Sequence, residues 1–353
     1  MKRLLFVIYS YTLGGGAEKI LSNIVSNLDK DKYDVTILPY ADYNVKNEIT
    51  SENVTVLPGI VNMDTAGRFE KIIKYFFVHF MPEVLRHKYI RENYDVEISF
   101  NYQIPSFLVK EKGNTKVVEW NHGDIYDLRE NGIKLLLQKR SYKRATKIVA
   151  ISENTKKSII DIFPQFESKI ELIYNGVNIS QIDQMASEST EITLQNPSIL
   201  FVGRLEEAKN PMALLEVVKK IKEKGKKIYL YYIGQGVQAA EIESKIAEFD
   251  LQNEVQLLGY QNNPYPIMKQ CSAVCMLSKS EGFPTVLTEA MALGKPFVSS
   301  PVGGVKELSD NGNCGKIASD IDECVSAIEQ VVFDIDNIRR WETIAGSISK
   351  SLD

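Results

Sequence analysis

The feature that most constrains this chain is an alternation of short apolar runs with helical stretches, which occurs twice, on either side of a polar interval. Lys2–Ser10 is a short apolar run, a glycine cluster follows, Ala17–Leu28 carries apolar residues at helical spacing, and Asp34–Tyr40 returns to a strand pattern. Strand, turn, helix, strand is a parallel unit, because parallel neighbours need a crossover and a helix supplies it. Asp95–Phe100, Lys116–Trp120, Lys147–Ile151 and Ile170–Ile173 repeat the buried-strand pattern, with helical segments between several of them. A parallel sheet covered on both faces is the natural assembly.

The stretch Asn178–Pro197, rich in Ser, Gln, Glu and Thr, separates this series from a second. That one runs through strand Ile199–Val202, helix Pro211–Lys224, strand Lys227–Ile233, helix Val237–Phe249, strands Val255–Leu258 and Ala273–Leu277, helix Thr285–Leu293 and strand Pro296–Ser299. At 353 residues the chain exceeds what one hydrophobic core usually serves. The expectation is two doubly wound, Rossmann-like α/β domains, at 1–178 and 198–333, with a linker over 179–197. A final helix over 334–353 is placed to cross back to the first domain. Open α/β sheets bind ligands outside the carboxyl ends of their strands, so two such domains facing each other place their loops around a central cleft.

Composition narrows the class only a little. Hydrophobic residues at 44% and charged residues at 25% describe an ordinary globular protein. No run approaches the roughly 20 apolar residues that a bilayer requires, and Met1–Ser10 is too short for a secretory leader, so a cytoplasmic enzyme is expected. Cys271, Cys275, Cys314 and Cys324 lack Cys-x-x-Cys spacing and neighbouring histidines, which suits reduced structural thiols. Residues 1–180 hold 25 Lys/Arg against 22 Asp/Glu, whereas 181–353 hold 17 against 24. The basic excess concentrates in Arg68–Arg91 and Lys134–Lys147. The first of these interleaves Ile72, Ile73, Tyr75, Phe76, Phe77, Phe80 and Met81 with cations, a pattern that docks on anionic membranes. The competing and favoured reading is a helix packed on its own core with its cations in water.

Three motifs carry the chemistry. Gly14-Gly15-Gly16-Ala17-Glu18 follows the first strand and opens a helix, whose glycines and N-terminal amides suit a phosphate. Glu281-Gly-Phe-Pro-Thr-Val-Leu-Thr-Glu289 spans a strand end and a helix start, placing Glu281 on the loop and Glu289 in the second turn. Carboxylates there accept from vicinal hydroxyls of a sugar or ribose. Gly203-Arg204-Leu-Glu-Glu-Ala-Lys209-Asn210 follows another strand of the same domain. Arginine grips a diphosphate bidentately and lysine adds a mobile charge, together stabilising a departing diphosphate without a metal. The alternative is that Arg204 and Lys209 are surface cations paired with Glu206 and Glu207.

Taken in order, the Gly15–Glu18 turn, Asn121-His122-Gly123, Val149-Ala-Ile-Ser152, Tyr174-Asn-Gly-Val-Asn178, Gly203-Arg204 to Lys209-Asn210, Gly234-Gln-Gly236 and two glutamates eight apart resemble the retaining glycosyltransferase family 4. The resemblance spans nearly the whole chain and implies the GT-B architecture. It implies transfer of a hexose or N-acetylhexosamine from a nucleotide sugar, with a UDP-sugar preferred, to a glycan or lipid-linked acceptor with retained configuration. No metal and no cofactor are implied, since the nucleotide sugar is a substrate. By position, Arg204 and Lys209 would bind the diphosphate, Glu289 the ribose and Glu281 the sugar hydroxyls. Backbone amides around Gly282, Phe283, Pro284 and Thr285 would complete those contacts, with Gly203 and Gly234 in the same donor loops. Tyr260 would border the base, His122 would lie over the donor sugar, and Gly15 and Gly16 would admit the phosphate. Asn178 departs from the Asp often found there, at a domain connection.

Rival readings are weaker. Gly234-Gln-Gly236-Val-Gln-Ala239 fits a dinucleotide fingerprint, but the next strand ends at Gly259-Tyr260 without the acid that binds ribose. Asp320-Ile-Asp322 and Asp334-Ile-Asp336 imitate a metal-binding pair yet sit where acidic caps are common. A non-catalytic partner subunit would be expected to have lost part of the donor set, which is intact here, and a sugar-nucleotide epimerase of related fold remains an alternative. No nucleic-acid role is expected.

Overall fold

The computed structural model describes residues 1–12, 15–43 and 52–334. The chain divides into two compact units, the first ending at Asn175 and the second beginning at Gly176. In the first unit the elements are β1 (Lys2–Ser10), α1 (Gly16–Asn27), β2 (Tyr33–Asp42), β3 (Val54–Val56), β4 (Val61–Asn62), α2 (Arg68–Phe80), α3 (Pro82–Tyr89), β5 (Val96–Ser99), α4 (Ile104–Leu108), β6 (Lys116–Asn121), α5 (Gly132–Arg144), β7 (Lys147–Ala150), α6 (Glu153–Ile162) and β8 (Ile170–Leu172). The strands pair in parallel in the order β3-β2-β1-β5-β6-β7-β8, with β4 beside β2. β1 shows why. Leu5 and Val7 enter the cluster on one face while Leu4, Phe6 and Ile8 enter the cluster on the other, so the strand is covered on both sides.

One charged pair is locked inside this unit. Arg86 of α3 sends Nη1 and Nη2 to the two oxygens of Glu97 on β5, at 2.7 and 2.9 Å, and also donates to Leu108 O. Lys110 N adds a further donor to Glu97 at 2.8 Å. Both side chains are buried.

The segment 68–91 packs on its own core as expected, through Phe77, Val78 and Leu85, but it is not a single helix and its cations do not all face water. It forms two helices, broken at Met81 where Pro82 removes a donor. On α2 the polarity is inverted. Lys71 and Lys74 turn their ammonium groups inward onto Met63 O, at 2.8 Å, and Ile60 O, while Phe69, Ile72, Phe76 and Phe80 are more than half exposed.

The second unit contains α7 (Ile179–Ala186), β9 (Ser198–Val202), α8 (Met212–Glu223), β10 (Tyr229–Ile233), α9 (Ala239–Glu248), β11 (Val255–Leu257), α10 (Tyr265–Met268), β12 (Ala273–Met276), α11 (Thr285–Ala292), β13 (Phe297–Ser299), α12 (Val305–Ser309), β14 (Gly315–Ile317) and α13 (Ile321–Ile328). Its six parallel strands run β11-β10-β9-β12-β13-β14. The interval expected to be a linker differs. Ile179, Ile182 and Ala186 of α7 pack with Tyr265 and Ala292, so this part of it is a docked helix of the second unit. Asn178 caps that helix, its Oδ1 accepting from Gln181 N at 2.9 Å, a task asparagine performs as well as aspartate. Residues 335–353, where a closing helix is expected, lie outside the described residues, as does Gly14.

Candidate active site

β9 is the point at which strand order reverses in the second sheet, with β10 on one side and β12 on the other. Ligands of open parallel sheets bind at such a switch point, beyond the carboxyl ends of the strands. The loops leaving β9 and β12 carry Arg204, Lys209 and Glu281. They are joined by backbone and side chain: Lys279 N donates to Ala208 O at 2.9 Å, and Asn210 Nδ2 to Leu277 O at 3.1 Å. Between them Lys209 Nζ meets Glu281 Oε1 at 2.6 Å, and Ser278 Oγ donates to the same oxygen at 2.7 Å. The pair is largely withdrawn from water, at 25% exposure for the lysine side chain and 10% for the glutamate.

The surface-pair alternative therefore divides. Arg204, 73% exposed, does contact Glu206 at 2.9 Å, and Glu207 is taken by Lys279 at 2.8 Å, but Lys209 is held by Glu281. An anion entering here finds cations already positioned and exchanges with carboxylates for them. Beside this pair α11 begins without a side-chain cap; Leu287 N already donates to Pro284 O at 3.1 Å, so an oxyanion here would meet the amides ahead of it. The Gly282–Phe283 turn leading into it is braced from β13: Gly304 N donates to Gly282 O at 3.0 Å, and a Cβ at Gly304 would lie 2.2 Å from the Phe283 ring. Gly303, at φ +52°, has no room either, since a Cβ there would sit 2.4 Å from Gly282 O. Sequence reasoning missed this brace, although a Gly-Gly pair just after a strand was its visible signal.

Glu289 lies in the second turn of α11 but is buried and hydrogen-bonded to Tyr265, whose phenol is pushed up by burial and then by the Glu289 charge. Gly234 and Gly236 admit the protein's own backbone. Cβ atoms there would lie 1.8 Å from Gly203 O and 2.2 Å from Leu205 O, so the dinucleotide reading loses the close approach that its glycines are meant to give a pyrophosphate. Tyr260 is 57% exposed. Asp320 caps α13, its Oδ1 accepting from Glu323 N at 2.8 Å, and Asp322 pairs with Lys220.

In the first unit the switch point falls between β1 and β5. Gly15 is occupied by Glu18, whose carboxylate accepts from Ser10 Oγ at 2.7 Å and would be 1.8 Å from a Cβ at Gly15; Gly16 faces open space. An anion at this turn must share it with that carboxylate. His122 follows β6. Its ring lies 4.2 Å from Phe100 and parallel to Trp120, its Nε2 has no partner among the described residues, and burial pushes its pKa down to about 3, so the imidazole is neutral.

Two family matches cover this architecture. Residues 14–181 match the family described as Glycosyltransferase Family 4, and residues 184–345 match Glycosyl transferases group 1. The chain belongs to glycosyltransferase family 4. This family 4 glycosyltransferase is 28% identical over 320 residues to the N-acetylgalactosamine-N,N'-diacetylbacillosaminyl-diphospho-undecaprenol 4-alpha-N-acetylgalactosaminyltransferase of Campylobacter jejuni, covering 87% of this chain and 84% of that protein. It is 24% identical over 347 residues to the O-antigen biosynthesis glycosyltransferase WbnH of Escherichia coli, covering 96% and 93%. In fold it is similar to Anabaena HepE crystallised with UDP, at a TM-score of 0.73 and 19% identity over 99% of this chain and 95% of that one. Each unit is thus a doubly wound domain of the kind expected of a GT-B glycosyltransferase.

Proposed function

We propose that this glycosyltransferase moves a hexose or N-acetylhexosamine from a nucleotide sugar, preferentially a UDP-sugar, to a hydroxyl of a glycan or lipid-linked acceptor in cell-surface polysaccharide assembly. The observation that carries the reading is the meeting of Lys209 and Glu281 at the switch point of the second sheet, beside the uncapped start of α11. Lysine and arginine charges with helix amides answer a leaving diphosphate, so the reading is metal-independent. Glu281 offers carboxylate oxygens to sugar hydroxyls. Retention follows if the leaving phosphate oxygen takes the acceptor proton on the face it departs from, which requires no protein base. The diphospho-undecaprenol acceptor in the name of the Campylobacter relative and the UDP bound by HepE support this choice of substrates.

Calorimetry against UDP, GDP, ADP and NAD tests it. UDP should bind selectively, and Glu289→Ala should weaken it at least tenfold. NAD binding alone, or no nucleotide binding, rejects the transferase reading.

We further propose peripheral contact with the inner face of a membrane through 68–91. Burying Phe69, Ile72, Phe76 and Phe80 in lipid is worth on the order of 1.5–3 kcal/mol each, and exposed aromatic stripes of this kind mark contact surfaces. Residues 68–91 hold six Lys/Arg against two Asp/Glu. On α5, Ile133 and Leu136 are exposed alongside basic Lys139 and Arg140. Among the described residues no helix is long and apolar enough to cross a membrane. The chain should float with anionic liposomes but not with neutral ones, and Phe69→Glu with Phe76→Glu should abolish flotation; no flotation on either lipid removes the membrane contact.

A further inference from the structure

Gln103 is out of place for ordinary backbone economy. Its φ is +64° and ψ −118°, a region that glycine enters freely and side chains enter at a cost of order 1–3 kcal/mol. It follows β5 at the switch point of the first sheet, where a parallel sheet receives its ligand.

Its strain is maintained from below. Gln103 N donates to Gln138 Oε1 at 2.7 Å, Gln138 Nε2 donates to Ser106 Oγ at 3.1 Å, and Ser106 Oγ in turn donates to Glu119, which also accepts from Ser99 Oγ at 2.6 Å. Gln138, Ser106, Ser99 and Glu119 are all at most 1% exposed. Burying so many polar groups is costly unless each is satisfied, and among the described residues Glu119 Oε1 finds no partner. A chain that only needed a turn here would use glycine and an apolar support.

What the strained residue presents is a carboxylate. Gln103 Nε2 donates to Asp127 Oδ2 at 2.9 Å and Tyr102 OH donates to Asp127 Oδ1, also at 2.9 Å. Asp127 is exposed. Among the described residues each Asp127 oxygen accepts one side-chain hydrogen bond and the Gln103 amide oxygen accepts none, so both suit hydroxyl donors. The negative charge disfavours a phosphate.

We propose that Tyr102, Gln103 and Asp127 form a recognition site for the hydroxyl groups of the neutral acceptor sugar, with Gln103 kept in strained geometry to present the carboxylate. This deepens the transferase reading and rests on it only for the word acceptor.

The test uses calorimetry of the full chain with alkyl glycosides of glucose, galactose and their N-acetylated forms, alongside UDP. The native chain should bind at least one glycoside. Gln103→Gly should raise the melting temperature, since it relieves the strained backbone, while weakening that glycoside tenfold or more and leaving UDP affinity within twofold. Asp127→Ala, which leaves the backbone unchanged, should weaken the same glycoside comparably. No glycoside binding by the native chain overturns the site, as does unchanged glycoside affinity in both variants. Failure of UDP binding alone strikes the transferase reading and not this one.

Discussion

Lys209→Ala should lower the rate of nucleoside diphosphate release from the sugar donor by about 100-fold or more, the size of effect seen when one preorganised charge donor is removed from a developing anion. The loss should fall on kcat more than on KM, because the charge on the leaving diphosphate is greatest in the transition state. Arg204→Ala should act in the same direction. The Lys209 ammonium sits 2.6 Å from Glu281, so removing it also strands a carboxylate that is only 10% exposed. Unfolding midpoints measured on the same preparations separate that effect from chemistry. Asp322→Asn is the control: its side chain is 81% exposed and paired only at the surface with Lys220, an interaction worth little, so its rate should stay within twofold. Equal losses in both variants would move the site away from the β9 and β12 loops.

The strand skeleton was legible because a parallel strand buried on both faces is largely apolar along its whole length, as in Leu4–Ile8, whereas a surface segment is not under that demand. β14 escaped for the converse reason. It is an edge strand of three residues, Gly-Lys-Ile, in which Gly315 is required because a Cβ would lie 2.3 Å from the Phe297 ring. In the donor loops the residue types were readable, since cations and acids after strands have few other uses at such spacing. Their partnership was not: Lys209 and Glu281 are 72 residues apart, and only the adjacency of β9 and β12 brings them together. α2 shows a different limit. Periodicity reveals that a helix has two unlike faces but not which one packs, and here inward-pointing lysines satisfy the carbonyls of Ile60 and Met63. Gln103 was invisible because strain is a property of φ and ψ.

Arg86→Met should destabilise the first unit by about 3–5 kcal/mol, the range for stranding one member of a buried ion pair. Glu97 is 3% exposed, and without the guanidinium it keeps the Lys110 amide as a donor but no counter-charge. Leu108 O loses a donor as well. The double variant Arg86→Met with Glu97→Leu should recover most of the loss, because apolar residues of similar volume need no compensating charge, and the two effects should be strongly non-additive. Urea unfolding followed separately for each unit is the appropriate measurement, since two compact units need not unfold together. The consequence extends to the surface. Arg86 ties α3 to β5 beside the core packing of Leu85, so the single variant should loosen α3 and the end of α2 that precedes it, and reduce flotation on anionic liposomes. The double variant, which leaves α3 packed, should restore it. Retained flotation in Arg86→Met alongside the full stability loss would mean that α2 is held independently of α3, by Lys71 and Lys74 and by the buried Val78 and His79.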